Sequence, residues 1–212
     1  MNQEQARIDA AEQAIKLIPF DAIVGVGTGS TVKCFIEALA QIKNKIQTTV
    51  ASSKATAVLL KQAGLPVTDF NTAPLIDIYV DSADEVNAHK QMIKGGGAAL
   101  TGEKILAFAA KQFVCIVDKS KCVDVLGGFP LPIEVIPMAR SAIARELVKL
   151  KGRPVYREGV VTDYGNVLID VHDLEILDPP ALEKALNQIP GIVTNGLFAL
   201  KPADTVIIGR AS

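Results

Sequence analysis

The segment AIVGVGTGST (22–31) runs from a short apolar stretch into alternating glycines and a cluster of hydroxyl residues. An apolar run of that length ending in glycine reads as a buried strand. The apolar-periodic stretch from Ser30 to about Ile42 reads as the helix it enters. Strand, tight glycine turn and helix form the opening unit of a parallel sheet, because parallel neighbours require a crossover. The same alternation continues along the chain. Ile8, Ala11, Ile15 and Ile18 recur at helical steps within 3–18, and 48–52 reads as a strand. Residues 53–63 read as a helix closed by Gly64, 66–70 and 77–80 as strands, 101–111 as a helix and 113–117 as a strand. This order predicts an α/β fold with a doubly wound, mostly parallel, Rossmann-like sheet.

The texture changes at Gly127-Gly128-Phe129-Pro130, with Pro132 and Pro137 close behind. Such punctuation marks a boundary. Beyond it come a strand (131–136), a helix (139–150), strands 153–158 and 167–171, a helix (179–187) and a strand (192–198). That is the split βαβ order of a smaller, ferredoxin-like α+β domain. TVIIG (205–209) has the buried character of the first half and is expected to return to the large sheet. The expected division is therefore 1–127 with 201–212 as the Rossmann-like catalytic domain, and 128–200 as the ferredoxin-like domain.

Composition narrows the chemistry. The 212 residues carry 22 basic and 23 acidic side chains, a net charge of −1, without the basic excess expected of a nucleic-acid binder. No apolar run reaches the roughly 18–20 residues of a membrane span. Cys34, Cys115 and Cys122 lack CxxC spacing and fit reduced thiols of a cytoplasmic protein. Two histidines cannot build a three-histidine metal site. Proton chemistry would fall to carboxylates and lysines.

Four constellations carry such groups. In Gly25-Val26-Gly27-Thr28-Gly29-Ser30-Thr31, helix-start amides and hydroxyls can cradle a phosphate. The P-loop lysine and the third dinucleotide-fingerprint glycine are both absent, which favours phosphate without nucleotide. Asp81-Ser82-Ala83-Asp84-Glu85 follows an apolar strand, where open sheets place their sites. Its carboxylates can bind sugar hydroxyls, act as acid and base, or coordinate a metal. Lys94-Gly95-Gly96-Gly97 leads into Thr101-Gly102-Glu103-Lys104. Lys94 and aligned glycine amides suit a developing oxyanion, and Glu103, in a helix's first turn, can serve as a general base. Lys119-Ser120-Lys121 follows the strand 113–117 as a possible phosphate clamp. Tyr156, Arg157 and the stretch Arg140 to Arg145 are assigned to the small domain's surface or an interface.

Taken together, GVGTGST (25–31), YVDSADE (79–85), MIKGGGAALTGEK (92–104), FPLPIEVIPMA (129–139), VVTDYGNVLIDV (160–171) and IPGIVTNGLF (189–198) resemble type A ribose-5-phosphate isomerases over nearly the whole chain. The resemblance implies interconversion of ribose 5-phosphate and ribulose 5-phosphate in the cytoplasm, with no metal or organic cofactor, by a homodimer. It implies Glu103 as the base, Asp84 as an aid to ring opening, and Asp81 lining the site with Ser82 and Ala83. It also implies Thr28, Gly29, Ser30 and Thr31 as the substrate loop, Lys94 to Gly97 at the oxyanion, and Lys121 as a further substrate contact. Ser82 stands where the family usually has glycine, and Tyr164 where it has asparagine. A sugar-phosphate sensor without a base, and a coenzyme A transferase using a glutamate nucleophile, are the rival readings. Retention of Glu103 and Lys94 speaks against the sensor.

Overall fold

The computed structural model describes residues 3–73 and 75–211. In chain order, α1 (Gln3–Ile15), β1 (Ala22–Val26), α2 (Ser30–Gln41), β2 (Ile46–Ala51), α3 (Lys54–Gln62) and β3 (Ile76–Asp81) come first. Then follow β4 (Glu85–Val86), β5 (Met92–Ile93), α4 (Leu100–Ala109) and β6 (Ala110–Asp118). The remainder comprises β7 (Leu131–Val135), α5 (Arg140–Lys149), β8 (Arg153–Tyr156), β9 (Val167–His172), α6 (Pro179–Leu186), β10 (Ile192–Asn195), β11 (Leu197–Phe198) and β12 (Thr205–Gly209). Two compact units result: Met1–Ala83, Gly102–Cys122 and Ala203–Ser212 form one, and Asp84–Thr101 with Val123–Pro202 form the other. Among the described residues no helix is long and apolar enough to cross a membrane.

In the first unit five strands pair in the order β12-β6-β3-β1-β2, every pair parallel. Val24, Val26, Ile78, Val80, Val114 and Ile116 are buried in its core, as expected of strands covered on both faces. β12 does return to the large sheet, beside β6. The chain moves outward from β1 to β2, then reverses direction across the sheet at β3. Open sheets of this kind hold ligands beyond the strand ends at that reversal, here the loops after Val26 and Asp81.

Two expectations change in this unit. Residues 66–70 form only an isolated bridge, Thr49 to Val67. Asp69 then turns the chain, accepting the Asn71 amide at 2.8 Å, which ends any ladder. On α1 the buried stripe is Ala6, Ala10, Ala11 and Ala14, with Ile15 and Ile18 only partly covered. Small side chains allow the helix to lie close against the sheet, which bulk at those positions would prevent.

The second unit holds a four-stranded antiparallel sheet, β10-β7-β9-β8, with a core that includes Ile133, Val135, Ile143, Leu147, Ile169 and Leu186. Its element order and strand order are those of the split βαβ unit. The stretch 192–198, expected as one strand, divides at Gly196. β10 pairs with β7, whereas β11 pairs with β5 in a second small sheet, β11-β5-β4. Gly196 donates to Pro132 O at 2.7 Å and accepts from the Lys94 amide at 2.9 Å. Residues 84–101 accordingly group with this unit, although the sequence-based division set them with the first.

Asp77 on β3 staples its neighbours, accepting the Ile23 amide of β1 at 2.9 Å and pairing with Lys111 of β6 at 2.7 Å. The Lys111 contact, then the Ile23 amide, hold its pKa below the usual carboxylate value. A depressed carboxylate contributes stability above its unfolded pKa and loses it as pH falls through the folded value. We expect Asp77→Asn to lower urea stability at pH 7 by at most about 1 kcal/mol, the pair being exposed. The gap to wild type should close below about pH 3.9; a gap that persists there contradicts the assignment.

Candidate active site

In the first unit the site is organised by Asp81, the last residue of β3 and fully buried. An isolated carboxylate in such a place is costly unless its oxygens are hydrogen-bonded. Oδ1 accepts the Ser82 amide at 2.7 Å and the Thr28 amide at 3.1 Å, and the Tyr79 hydroxyl donates to Oδ2. Burial, then the Asp81 and Glu103 charges, push the Tyr79 pKa well above its ordinary value. The phenol therefore remains a donor at all working pH values. Gly27 is required by the same carboxylate, because a Cβ there would stand 1.9 Å from Asp81 Cγ.

The loop after β1 then enters α2 through Gly29 at φ 136°, with no side-chain cap on the helix. Amides of the first turn of this 12-residue helix are left for an outside acceptor, and the helix dipole favours an anion there. Ser30 is exposed and Thr31 buried at this end. The Thr28 hydroxyl turns inward instead, within 3.0 Å of the Ser52, Ser53 and Thr56 hydroxyls. Ser82 does not adopt positive φ, and its amide bond to Asp81 needs no glycine.

At the end of β6, Asp118 caps the turn Lys119–Lys121 by accepting the Ser120 amide at 2.9 Å. Burial opposes its ionisation, but the Ser120 side chain and amide, Gln3 and Arg7 outweigh it, and its pKa is lowered. Arg7 Nε lies 3.8 Å from Asp118 and, like Lys121, its side chain is half-buried. Nothing in its surrounding sequence marked Arg7, since it lies on an ordinary amphipathic helix far from the motifs. Glu103 sits in the first turn of α4 and is only 3% exposed.

Asp84, Lys94 and the three glycines belong to the second unit. The Asp84 amide donates to Ile93 O at 2.9 Å, and Asp84 Oδ2 accepts the Gly96 amide at 2.8 Å. Glu85 accepts the Gly127 and Phe129 amides at 2.8 and 2.6 Å. Each carboxylate of the acidic block thus holds backbone of a loop in its own unit. Lys94 is 2% exposed, with Nζ 5.5 Å from the centre of the Phe198 ring. Gly95 has φ 110°, and Ala98 has φ 62°, an unusual conformation for a residue with a side chain. Thr101 donates to the buried Glu134 at 2.5 Å, within the same unit.

The family model of ribose 5-phosphate isomerase A (phosphoriboisomerase A) matches residues 48–212. The chain belongs to that family. It is 61% identical over 210 residues to ribose-5-phosphate isomerase A of Haemophilus influenzae, covering 99% of this chain and 96% of that protein. Among solved structures, ribose 5 phosphate isomerase A of Neisseria gonorrhoeae aligns with TM-score 0.96 and 44% identity, covering 99% of this chain and 94% of its own. A D-ribose-5-phosphate isomerase in complex with phospho-erythronic acid aligns with TM-score 0.95 and 41% identity, covering 99% of this chain and 96% of its own.

Within this isomerase family member, Tyr79→Phe removes one donor from a buried carboxylate. We expect a loss of about 1–3 kcal/mol in chemical denaturation. An unchanged midpoint would show that Asp81 does not depend on the phenol.

Proposed function

We propose that the chain interconverts D-ribose 5-phosphate and D-ribulose 5-phosphate, an aldose–ketose isomerisation of the non-oxidative pentose phosphate pathway. The observation that carries this reading is Glu103, a buried carboxylate at the start of the helix that follows Lys94-Gly95-Gly96-Gly97, in a chain 61% identical to a named isomerase.

The open-chain aldose loses the proton on carbon 2 to Glu103, and the electron pair moves to the carbonyl oxygen on carbon 1. The resulting cis-enediolate is negative at that oxygen, where Lys94 and the glycine amides balance it. A proton passes from the carbon 2 hydroxyl to the carbon 1 oxygen, and Glu103 returns its proton to carbon 1. Asp84 assists ring opening through Oδ1, the oxygen left over from its bond to Gly96. Asp81, with Ser82 and Ala83, lines the sugar site and holds the Thr28 loop. Phosphate rests on the first-turn amides of α2, beside Gly29, Ser30 and Thr31, with Lys121 and Arg7 as cations. Its binding energy positions the reacting carbons.

None of these steps calls on a metal or an organic cofactor. Phospho-erythronic acid, held by the solved relative, carries a planar charged carboxylate one bond from a hydroxyl-bearing carbon; the enediolate is likewise planar and charged on oxygen beside such a carbon. A homodimer formed through the second unit is in keeping with its exposed Met138, Val161 and Leu177 side chains. Three free cysteines suit a reducing cytoplasm.

Glu103→Gln is expected to lower kcat by about 10²–10⁴-fold, the range of a lost general base, while the sugar phosphate still binds. Full turnover in that variant would remove Glu103 from the chemistry. Dialysis against a chelator should leave the rate unchanged, and a loss restored by Mg²⁺ would require a metal step.

A further inference from the structure

Arg157 was assigned from sequence to a surface or interface, yet its guanidinium is anchored and aimed inward. Nε donates to Asp170 Oδ2 at 2.8 Å and Nη2 to Asp170 Oδ1 at 2.5 Å, a fork-to-fork pair. The remaining nitrogen, Nη1, donates to Gly95 O at 3.1 Å and to Gly96 O at 3.2 Å. Both side chains are 18% exposed, and both belong to the second unit, as do the glycines.

A trans peptide points its N–H opposite to its C=O. Fixing Gly95 O on Arg157 therefore turns the Gly96 amide the other way, where it meets Asp84 Oδ2 at 2.8 Å. The peptide between Gly95 and Gly96 is held at one end by a cation and at the other by an anion. Fixing Gly96 O likewise turns the Gly97 amide away from Arg157. That amide has no hydrogen-bond partner among the described residues. Glycine peptides would otherwise flip readily, since glycine accepts both signs of φ.

We propose that Arg157, locked by Asp170, is a positioning residue that fixes the peptide planes of Gly95-Gly96-Gly97, so that the Gly97 amide is presented as a preorganised oxyanion donor. This rests on the isomerase reading and adds to it a residue pair outside the reacting groups. Lysine at 157 keeps the charge for Asp170 but cannot span both carbonyls and the carboxylate from one plane.

The test uses the full chain, with kcat and KM for ribose 5-phosphate, the inhibition constant of phospho-erythronic acid, and thermal melting. For Arg157→Lys we expect kcat and kcat/KM to fall together by about 10²-fold, the size of one lost oxyanion donor. Phospho-erythronic acid should weaken by a similar factor, and Asp170→Asn should give a smaller loss of the same kind. In the wild-type protein, amide exchange at Gly97 should slow when phospho-erythronic acid is added. A variant that melts lower but keeps its kcat, or a Gly97 exchange rate that the inhibitor leaves unchanged, overturns the proposal. Where the Arg157 variant does not fold, the wild-type exchange measurement decides. A wild-type protein inactive on ribose 5-phosphate would instead overturn the isomerase reading itself.

Discussion

The candidate site in the first unit depends on one buried carboxylate. Asp81 ends β3 with no exposed surface, and it is tolerable there because one hydroxyl and two amides donate to it. That requirement propagates outward through the first unit. It needs Tyr79 two residues earlier on the same face of the strand, and it needs a glycine at 27, where any side chain would collide with the carboxylate. It draws the Thr28 amide toward β3, so that the loop after β1 enters α2 with its first-turn amides uncapped. A parallel sheet with its reversal between β1 and β3 supplies the location. The carboxylate supplies the local geometry.

The second unit solves a similar problem with opposite charges. Asp84 and Glu85 hold backbone amides, and Arg157 holds backbone carbonyls. A glycine run is conformationally expensive to order, and Ala98 adds a left-handed φ of 62°. Charged side chains fixed by partners act against that cost. Charge here organises main chain first, and the chemistry follows from where the main chain then points.

Much of the architecture was legible in the sequence because it rests on periodicity. β1, α2, β3 and β6 are apolar runs or stripes long enough to read, and Gly27 and Gly29 mark the turn between two of them. The small domain was legible for the same reason. What could not be read has physical causes. β4, β5 and β11 are two residues each, too short for any alternation to register. Residues 66–70 have strand composition, but Pro66 brings no amide and Asp69 diverts the chain. On α1 the apolar repeat marked the helix but not its deepest positions, because close packing buries its alanines rather than its isoleucines. Of the residues proposed for the chemistry, the types and spacing of Asp81, Asp84, Lys94 and Glu103 were visible. The inward turn of Thr28 and the reach of Arg157 to Gly95 were not, since both depend on partners 24 to 62 positions away in the chain.

The central claim is that a proton, carried by a side-chain base, moves between carbons 2 and 1. Running the isomerisation of ribose 5-phosphate in D₂O, with NMR of the product at early conversion, tests it directly. Exchange of the base's proton with solvent puts deuterium on carbon 1 of the ribulose 5-phosphate, in less than full yield if some protons return before they exchange. Complete retention of the original hydrogen at every stage of conversion would indicate a hydride shift and contradict the account.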